Sequence, residues 1–282
     1  MPDERKVPEP LRWTPPPEPV TMQQGYADLP DARLWHWDTG GTGEAIVFIH
    51  PAASGDAQIW RYQIPVFARA GFRVIAYARR GYHKSDRVEA ANPGCAAEDL
   101  AHLIDMLGLG RAHLVSSGGG GSVAADHALS YPEQVLSLTV SSNYAGVRKG
   151  YIRDAARRAR PAQWNELPRW FREFSTSSVV ANPQGIAEWI AVQDEATKAK
   201  GVEQHMKNVI DEAKLAEMKP PTLLLTGDAD SSTPPSLMRM LAKHIPDVEL
   251  KIVPEAGHSP YWETPDIFNR SVLDFVKRYN AT

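Results

Sequence analysis

The sequence of 282 residues has a single cysteine, Cys95. One thiol excludes an internal disulfide framework and suits a reducing compartment. Cys95 follows Pro93 and Gly94 with no metal-ligand spacing nearby, so a half-buried structural thiol is expected. Long apolar runs are also lacking: nothing approaches the roughly 18 consecutive apolar residues of a membrane-spanning helix. The N-terminal MPDERKVPEPLRWTPPPEPV has no apolar core suited to a signal peptide, so the expectation is a cytoplasmic protein with no membrane partner. Charge of one sign is missing too. With 31 Lys and Arg against 34 Asp and Glu, the net charge is −3, and nothing favours a nucleic-acid partner. None of the 9 histidines has an i, i+4 partner or a carboxylate cluster, so no metal is expected. SSGGGG is not the G-x-G-x-x-G of a dinucleotide loop, and RRGYHK is not a phosphate loop, so no cofactor is implied.

What is present is a globular composition, 43% hydrophobic and 23% charged, long enough for one large α/β domain. ARLWHWDTG alternates like a half-buried strand. EAIVFIH, FRVIAYA, HLVSS, LSLTVSS, PTLLLTG and VELKIVP are short apolar runs of the kind that form parallel strands buried on both faces. Helical stretches follow at about 58–70, 96–107, from Val123 into the Ser-Tyr-Pro at 130–132, at 236–245 and at 264–279. This alternation predicts a mostly parallel central sheet flanked by helices. Residues 143–217 break the pattern with helix-forming, Arg-rich and Trp-containing segments. The expected organisation is a proline-rich arm over 1–24, a core over 25–142 and 218–282, and a helical lid over 143–217. Prolines at 8, 10, 15, 16, 17 and 19 suit an extended strap. Trp13 could pin it to the domain or to a second subunit as a homodimer contact; a disordered tail fits equally.

Three loops at strand ends carry chemistry. In HLVSSGGGGSVAADHAL a strand turns sharply into a helix through small residues, the geometry of a nucleophile elbow. Counting from the strand places the nucleophile position at Gly118. In LLLTGDADSSTP, Asp230 is the preferred acid and Asp228 the alternative. In VPEAGHSPYWETP, His258 lies between the last strand and the last helix. The order elbow, acid, histidine, together with His50-Pro51 and RRGYHKS at 79–85, resembles the α/β-hydrolase superfamily over about residues 25–280. The resemblance implies an α/β-hydrolase fold, an oxyanion hole from the N–H groups of Ala52 and Gly119, and a His258-Asp230 pair. It also marks two departures. Pro51 stands where the superfamily usually has glycine, and the nucleophilic serine is absent.

Loss of that hydroxyl from a serine enzyme costs on the order of a million-fold in turnover. Four readings fit. His258 and Asp230 can form a general-base dyad that activates water on an ester, lactone or C–C bond, or abstracts a proton in a cofactor-free lyase, isomerase or oxygenase reaction. The chain can be a serine esterase whose serine was exchanged for Gly118. It can be a non-catalytic small-molecule binder. Ser117 can serve as a displaced nucleophile. The first is preferred, because a silent receptor has no need of both His258 and Asp230.

The insertion brings Trp164, Trp170, Phe171, Phe174, Trp189, Met206 and Ile210, which suit a pocket for a small apolar or aromatic substrate. Packing of the insertion on the core explains any one of these rings equally well. Trp164, Trp170 and Tyr144 are the candidate substrate contacts. Arg148, Arg153, Arg157, Arg158 and Arg160 form a basic face, from which one inward arginine could bind a carboxylate or phenolate. His83 takes a position usually glycine and is expected at the surface.

Overall fold

A computed structural model describes residues 14–52, 55–87, 89–160, 162–196 and 203–280. The strands are β1 (Gln23–Asp28), β2 (Arg33–Asp38), β3 (Ala45–Ile49), β4 (Arg73–Tyr77), β5 (Ala112–Ser117), β6 (Val135–Ser141), β7 (Thr222–Gly227) and β8 (Val248–Val253). They form one 8-stranded sheet in the order β1-β2-β4-β3-β5-β6-β7-β8. β1 and β2 run antiparallel at one edge; β4 through β8 and β3 pair parallel. The all-apolar run at β3 explains the centre of the sheet, because successive side chains go to opposite faces. Val47 and Ile49 join one core with Leu114, Leu138 and Leu224. Ile46 and Phe48 join the other with Val115, Leu223 and Leu225. Each fully buried side chain of this kind contributes about 1.5–3 kcal/mol.

Helices cover both faces. α1 (Ile64–Arg69), α2 (Ala96–Met106) and α3 (Gly120–Ser130) precede the insertion, which contains α4 (Gly150–Arg158), α5 (Arg169–Glu173), α6 (Thr176–Ala181), α7 (Pro183–Ala196) and α8 (Glu212–Leu215). α9 (Pro235–Ala242), α10 (Pro260–Glu263) and α11 (Pro265–Val276) follow. Leu100 and Leu103 of α2, Val123 of α3 and Leu241 of α9 pack on the first core. Phe67 of α1 and Phe268 and Phe275 of α11 pack on the second.

Two elements depart from expectation. The helix expected over 58–70 is a 3-10 turn at Ala57–Trp60 followed by α1. Pro65 in the first turn of α1 has no N–H to give, so one helix does not run through it. β1 was not foreseen, because QQGYAD is polar and contains glycine; its register with β2, from Gln23 opposite Asp38, supplies what its propensity lacks. β1 therefore begins two residues inside the expected arm. Val20 and Met22 pack on the second core and Arg69 donates to the Glu18 carbonyl at 2.6 Å, so the end of the arm lies on the domain. Trp13, Pro8 and Pro10 lie outside the described residues.

Candidate active site

The carboxyl ends of β3 and β5 and the turn after β8 converge on one small cavity, and the turn after β7 backs it through Asp230. Gly118 follows the last residue of β5 and has φ +49°, the left-handed region that side chains rarely adopt and that elbows impose. Its N–H donates to the Ser141 carbonyl at 3.0 Å. A Cβ at this position would point at the His258 Nε2, 3.8 Å away, with the Pro51 Cβ at 3.3 Å. A side chain at 118 would thus stand beside the imidazole, where glycine places none.

His258 lies between β8 and α10. Its Nδ1 faces Asp230 Oδ2 at 2.9 Å and Oδ1 at 3.1 Å. A carboxylate can only accept, so Nδ1 carries the proton and Nε2 turns to the cavity. Asp230 is 2% exposed, whereas Asp228 is on the surface; burial decides between them. The Asp230 carboxylate also accepts from the N–H groups of Ser232 and Thr233, both at 2.8 Å, and from Thr226 Oγ1 at 2.9 Å. Burial alone would push its carboxyl up, but His258 and these donors hold it below the ordinary carboxylate value. Burial lowers His258 in turn, yet the charges of Asp230 and Glu173 outweigh it and raise the imidazole to about 9.

Ala52 and Gly119 meet at the cavity wall. A methyl on Gly119 would stand 3.0 Å from the Ala52 nitrogen and 2.5 Å from its Cβ, so only glycine fits. Below them, buried His50 donates from Nδ1 to the Pro51 carbonyl at 2.8 Å and accepts the Arg79 N–H at Nε2, 3.1 Å. Burial and the Arg79 charge keep His50 neutral. Tyr82 Oη donates to the Ala52 carbonyl. The loop that presents the Ala52 amide is therefore held from beneath.

The cavity measures about 100 Å³ and is walled by Pro51, Ala52, Gly118, Gly119, Glu173 and His258, with Ser117, Gln193 and Ser259 beside them. A second cavity of about 320 Å³ shares Ala52 and Gly119 and extends past Arg79, Arg148 and Met206. Ser117 contributes a buried Oγ with no hydrogen-bond partner among the described residues. It belongs to β5 and precedes the left-handed turn, so Ser117→Ala is expected to change stability by no more than about 1 kcal/mol and to leave turnover intact. Thermal unfolding and initial rates on p-nitrophenyl butyrate check this; a hundredfold loss of rate would hand Ser117 the nucleophile's role.

Tyr144, Trp164 and Trp170 are not among the described residues of either cavity. The Tyr144 hydroxyl accepts from Arg153 Nη1 at 2.5 Å and its ring packs on the first core. Trp164 is buried beneath the Arg160 guanidinium. Trp170 is 42% exposed and meets Phe171 edge-to-face. Phe174 and Trp189, both of the insertion, pack edge-to-face at 4.9 Å and join the second core. Arg160 is the inward arginine, but it donates to Ser232, backing the Asp230 turn. His83, at φ +46°, is half-buried against Trp37 and 3.6 Å from Asp56. Cys95 is half-buried, and no group of three metal-ligating side chains occurs among the described residues.

Sequence reasoning missed three contributors. Glu173 ends α5, and its carbonyl accepts the N–H groups of His258 at 2.9 Å and Ser259 at 3.1 Å. Gln193 of α7 joins the wall. Glu263 accepts from the N–H groups of Gly257 and Ser175, both at 2.8 Å, tying the histidine loop to the insertion; burial pushes its carboxyl up to about 7. No local pattern marks these residues, because each acts through docking of the insertion.

Residues 46–271 match the Alpha/beta hydrolase family. The chain belongs to this family. A 2-hydroxy-6-oxononadienedioate/2-hydroxy-6-oxononatrienedioate hydrolase from Burkholderia vietnamiensis is 29% identical over 275 residues, covering 89% of this chain and 93% of the relative. A 2-hydroxy-6-oxo-6-phenylhexa-2,4-dienoate hydrolase from Burkholderia cepacia is 28% identical over 267 residues, covering 86% and 90%. Among solved structures, a bromoperoxidase from Bacillus anthracis superposes with a TM-score of 0.72 at 21% identity, over 90% of this chain and all of that one. A thermophilic esterase from Thermogutta terrifontis gives 0.71 at 23%, over 92% and 100%. These structures carry the fold; the named relatives carry the enzyme class, and this family member is a hydrolase. No helix among its described residues is long and apolar enough to cross a membrane.

Proposed function

We propose that this hydrolase adds water directly to a small apolar or aromatic carbonyl compound, with His258 as general base, Asp230 as its orienting acid and no covalent intermediate. The observation that carries this reading is the elbow. Gly118 keeps the left-handed turn and faces His258 Nε2, yet offers no hydroxyl. A cavity of about 100 Å³ has room for a water, which occupies about 30 Å³, beside a reacting carbonyl.

In the proposed reaction Nε2 takes one proton from water as its oxygen bonds to the carbonyl carbon. The resulting oxyanion accepts from the amides of Ala52 and Gly119. The imidazolium, paired with Asp230, then protonates the leaving atom as its bond to carbon breaks. Esters release an alcohol this way, and lactones open to the hydroxy acid. The relatives' named substrates are 6-oxo acids, and a ketone has no heteroatom leaving group, so its hydrolysis by this chain would break a carbon–carbon bond. Residues 143–217 act as a lid in this reading, with Glu173 and Gln193 closing the cavity above the elbow.

A second reading, a serine esterase whose serine was exchanged for glycine, meets one obstacle. The Pro51 Cβ stands 3.3 Å from where a serine Cβ would be, so Pro51 must give by a few tenths of an ångström.

The deciding experiment is His258→Ala assayed on ester, lactone and 6-oxo-dienoate panels. Loss of general-base catalysis is expected to cost about 10²–10⁴-fold in kcat/KM. In the parent, only the neutral imidazole is competent, so kcat/KM should rise about tenfold per pH unit and level off near 9. An active His258→Ala protein, or a profile flat from pH 6 to 10, would sink the proposal.

A further inference from the structure

Resting on the water-addition reading above, we propose that Glu173 is a second catalytic carboxylate, holding the attacking water against His258 in the space that Gly118 leaves open. Glu173 comes from the insertion, not from the α/β core, and ends α5 directly over the histidine loop. Its backbone carbonyl fixes that loop by accepting from His258 and Ser259. Glu173 belongs to the wall of the cavity that also holds Gly118, Ala52, Gly119 and His258, and its carboxylate charge acts on the His258 imidazole. Among the described residues its carboxylate accepts one hydrogen bond, from Ser259 Oγ to Oε2 at 3.3 Å. A carboxylate has about four acceptor sites, so most of its capacity remains for a donor in the cavity. The donor that fits is water.

The geometry divides the work between two acceptors. A water in this cavity has two protons: one goes to His258 Nε2 when the O–C bond forms, and the other points at Glu173. After the tetrahedral intermediate collapses and the leaving atom takes the proton from His258, the product is a carboxylic acid. Its remaining proton passes to Glu173 and then to solvent. Ester or ketone plus water thus gives carboxylate, protonated leaving group and one released proton. A serine enzyme positions its nucleophile by a covalent bond to the backbone. Here the same constraint comes from two hydrogen bonds, and the second requires an acceptor across from the histidine.

The charges around His258 are Asp230 from the β7–α9 turn, Glu173 from α5 and Arg160 after α4; Glu263 binds the amides on either side. Asp230 and Glu173 favour the imidazolium, and Arg160 opposes it. Removing the Glu173 charge therefore has two effects of opposite sign. It loosens the water, and it releases more of the neutral base at a given pH.

The experiment compares the parent with Glu173→Gln and Glu173→Ala, both of which keep the backbone carbonyl that holds the loop. In ¹³C-histidine-labelled protein the His258 ring signal, assigned by its loss in His258→Ala, should titrate about one pH unit lower in Glu173→Gln. On p-nitrophenyl butyrate the alkaline plateau of kcat should fall about 10²-fold, while the inflection moves down with the NMR value. The deficit against the parent should therefore shrink about tenfold from pH 10 to pH 6, and formate should restore part of the rate in Glu173→Ala. An unshifted His258 titration overturns the proposal whatever the rates do, as does a uniform loss that formate leaves untouched. Activity that survives in His258→Ala would instead overturn the dyad reading, with the Glu173 titration result standing apart.

Discussion

Gly118→Ser should turn the hydrolase into a covalent enzyme. A Cβ at 118 would lie 3.8 Å from His258 Nε2, and an Oγ about 1.4 Å further on can reach hydrogen-bond distance in a staggered rotamer. His258, with Asp230 behind it, and Ala52 and Gly119, the proposed oxyanion donors, already adjoin that point. Losing a serine nucleophile costs on the order of a million-fold. Recovering part of it should give at least a hundredfold gain on p-nitrophenyl esters, with a stoichiometric burst of p-nitrophenolate and labelling of residue 118 by a fluorophosphonate. The substitution has a cost in stability. A non-glycine residue at φ +49° carries about 1–3 kcal/mol of strain, and Pro51 must shift. Pairing it with Pro51→Gly should relieve the crowding and raise the burst rate. The native water-addition reaction should fall in the same variant, because the serine side chain occupies the water's place. If Gly118→Ser shows neither burst nor label, the elbow is not poised for acyl transfer. Serine exchange is then excluded as the origin of Gly118.

That Gly118, Asp230 and His258 come together was legible in the sequence because each follows a strand end, and strand ends follow from short apolar runs. Leu114 and Val115 mark β5, so Gly118 could be counted out; Leu223, Leu224 and Leu225 mark β7 and lead to Asp230. The choice between Asp228 and Asp230 needed the structure, since it depends on burial alone. Tyr144, Trp164 and Trp170 show where the reasoning stops. Aromatic density in the insertion signals burial, but which rings face the substrate depends on how short helices dock, and no periodicity encodes that. Glu173 was invisible for the same reason. Its sequence context, RWFREF, is that of an ordinary amphipathic turn. β1 failed differently: QQGYAD has no strand signal of its own and forms because β2 offers an edge to pair with.

Arg80→Ala should produce the largest loss of stability. Arg80 comes from the turn after β4, and its side chain is 4% exposed, as is that of Asp99 in α2. The guanidinium grips Asp99 bidentately, Nε to Oδ2 at 2.8 Å and Nη2 to Oδ1 at 2.6 Å, and reaches Asp31 at 2.6 Å. Gly94 packs directly on it, where a Cβ would stand 2.7 Å from Cζ. Gln204 donates to Asp99 at 2.7 Å, and the His205 N–H donates to the Gly94 carbonyl at 3.0 Å. One side chain therefore ties β4, α2, the loop before it and the end of the insertion into a single cluster behind the larger cavity. Removing it leaves Asp99 buried without its cation, which costs about 3–5 kcal/mol. Arg80→Lys should recover only part, because a point charge cannot repeat the two-pronged contact. Urea unfolding at pH 7 reads both. The control is Arg80→Met with Asp99→Leu, which removes both charges and should lie much closer to the parent than Arg80→Ala does. If the double variant is as unstable as the single one, the cluster's value lies in the hydrogen bonds of Asp99 to Gln204 and of Arg80 to Asp31 rather than in neutralising Asp99. The wall of the larger cavity, which Arg80 itself lines, would then loosen in both variants alike.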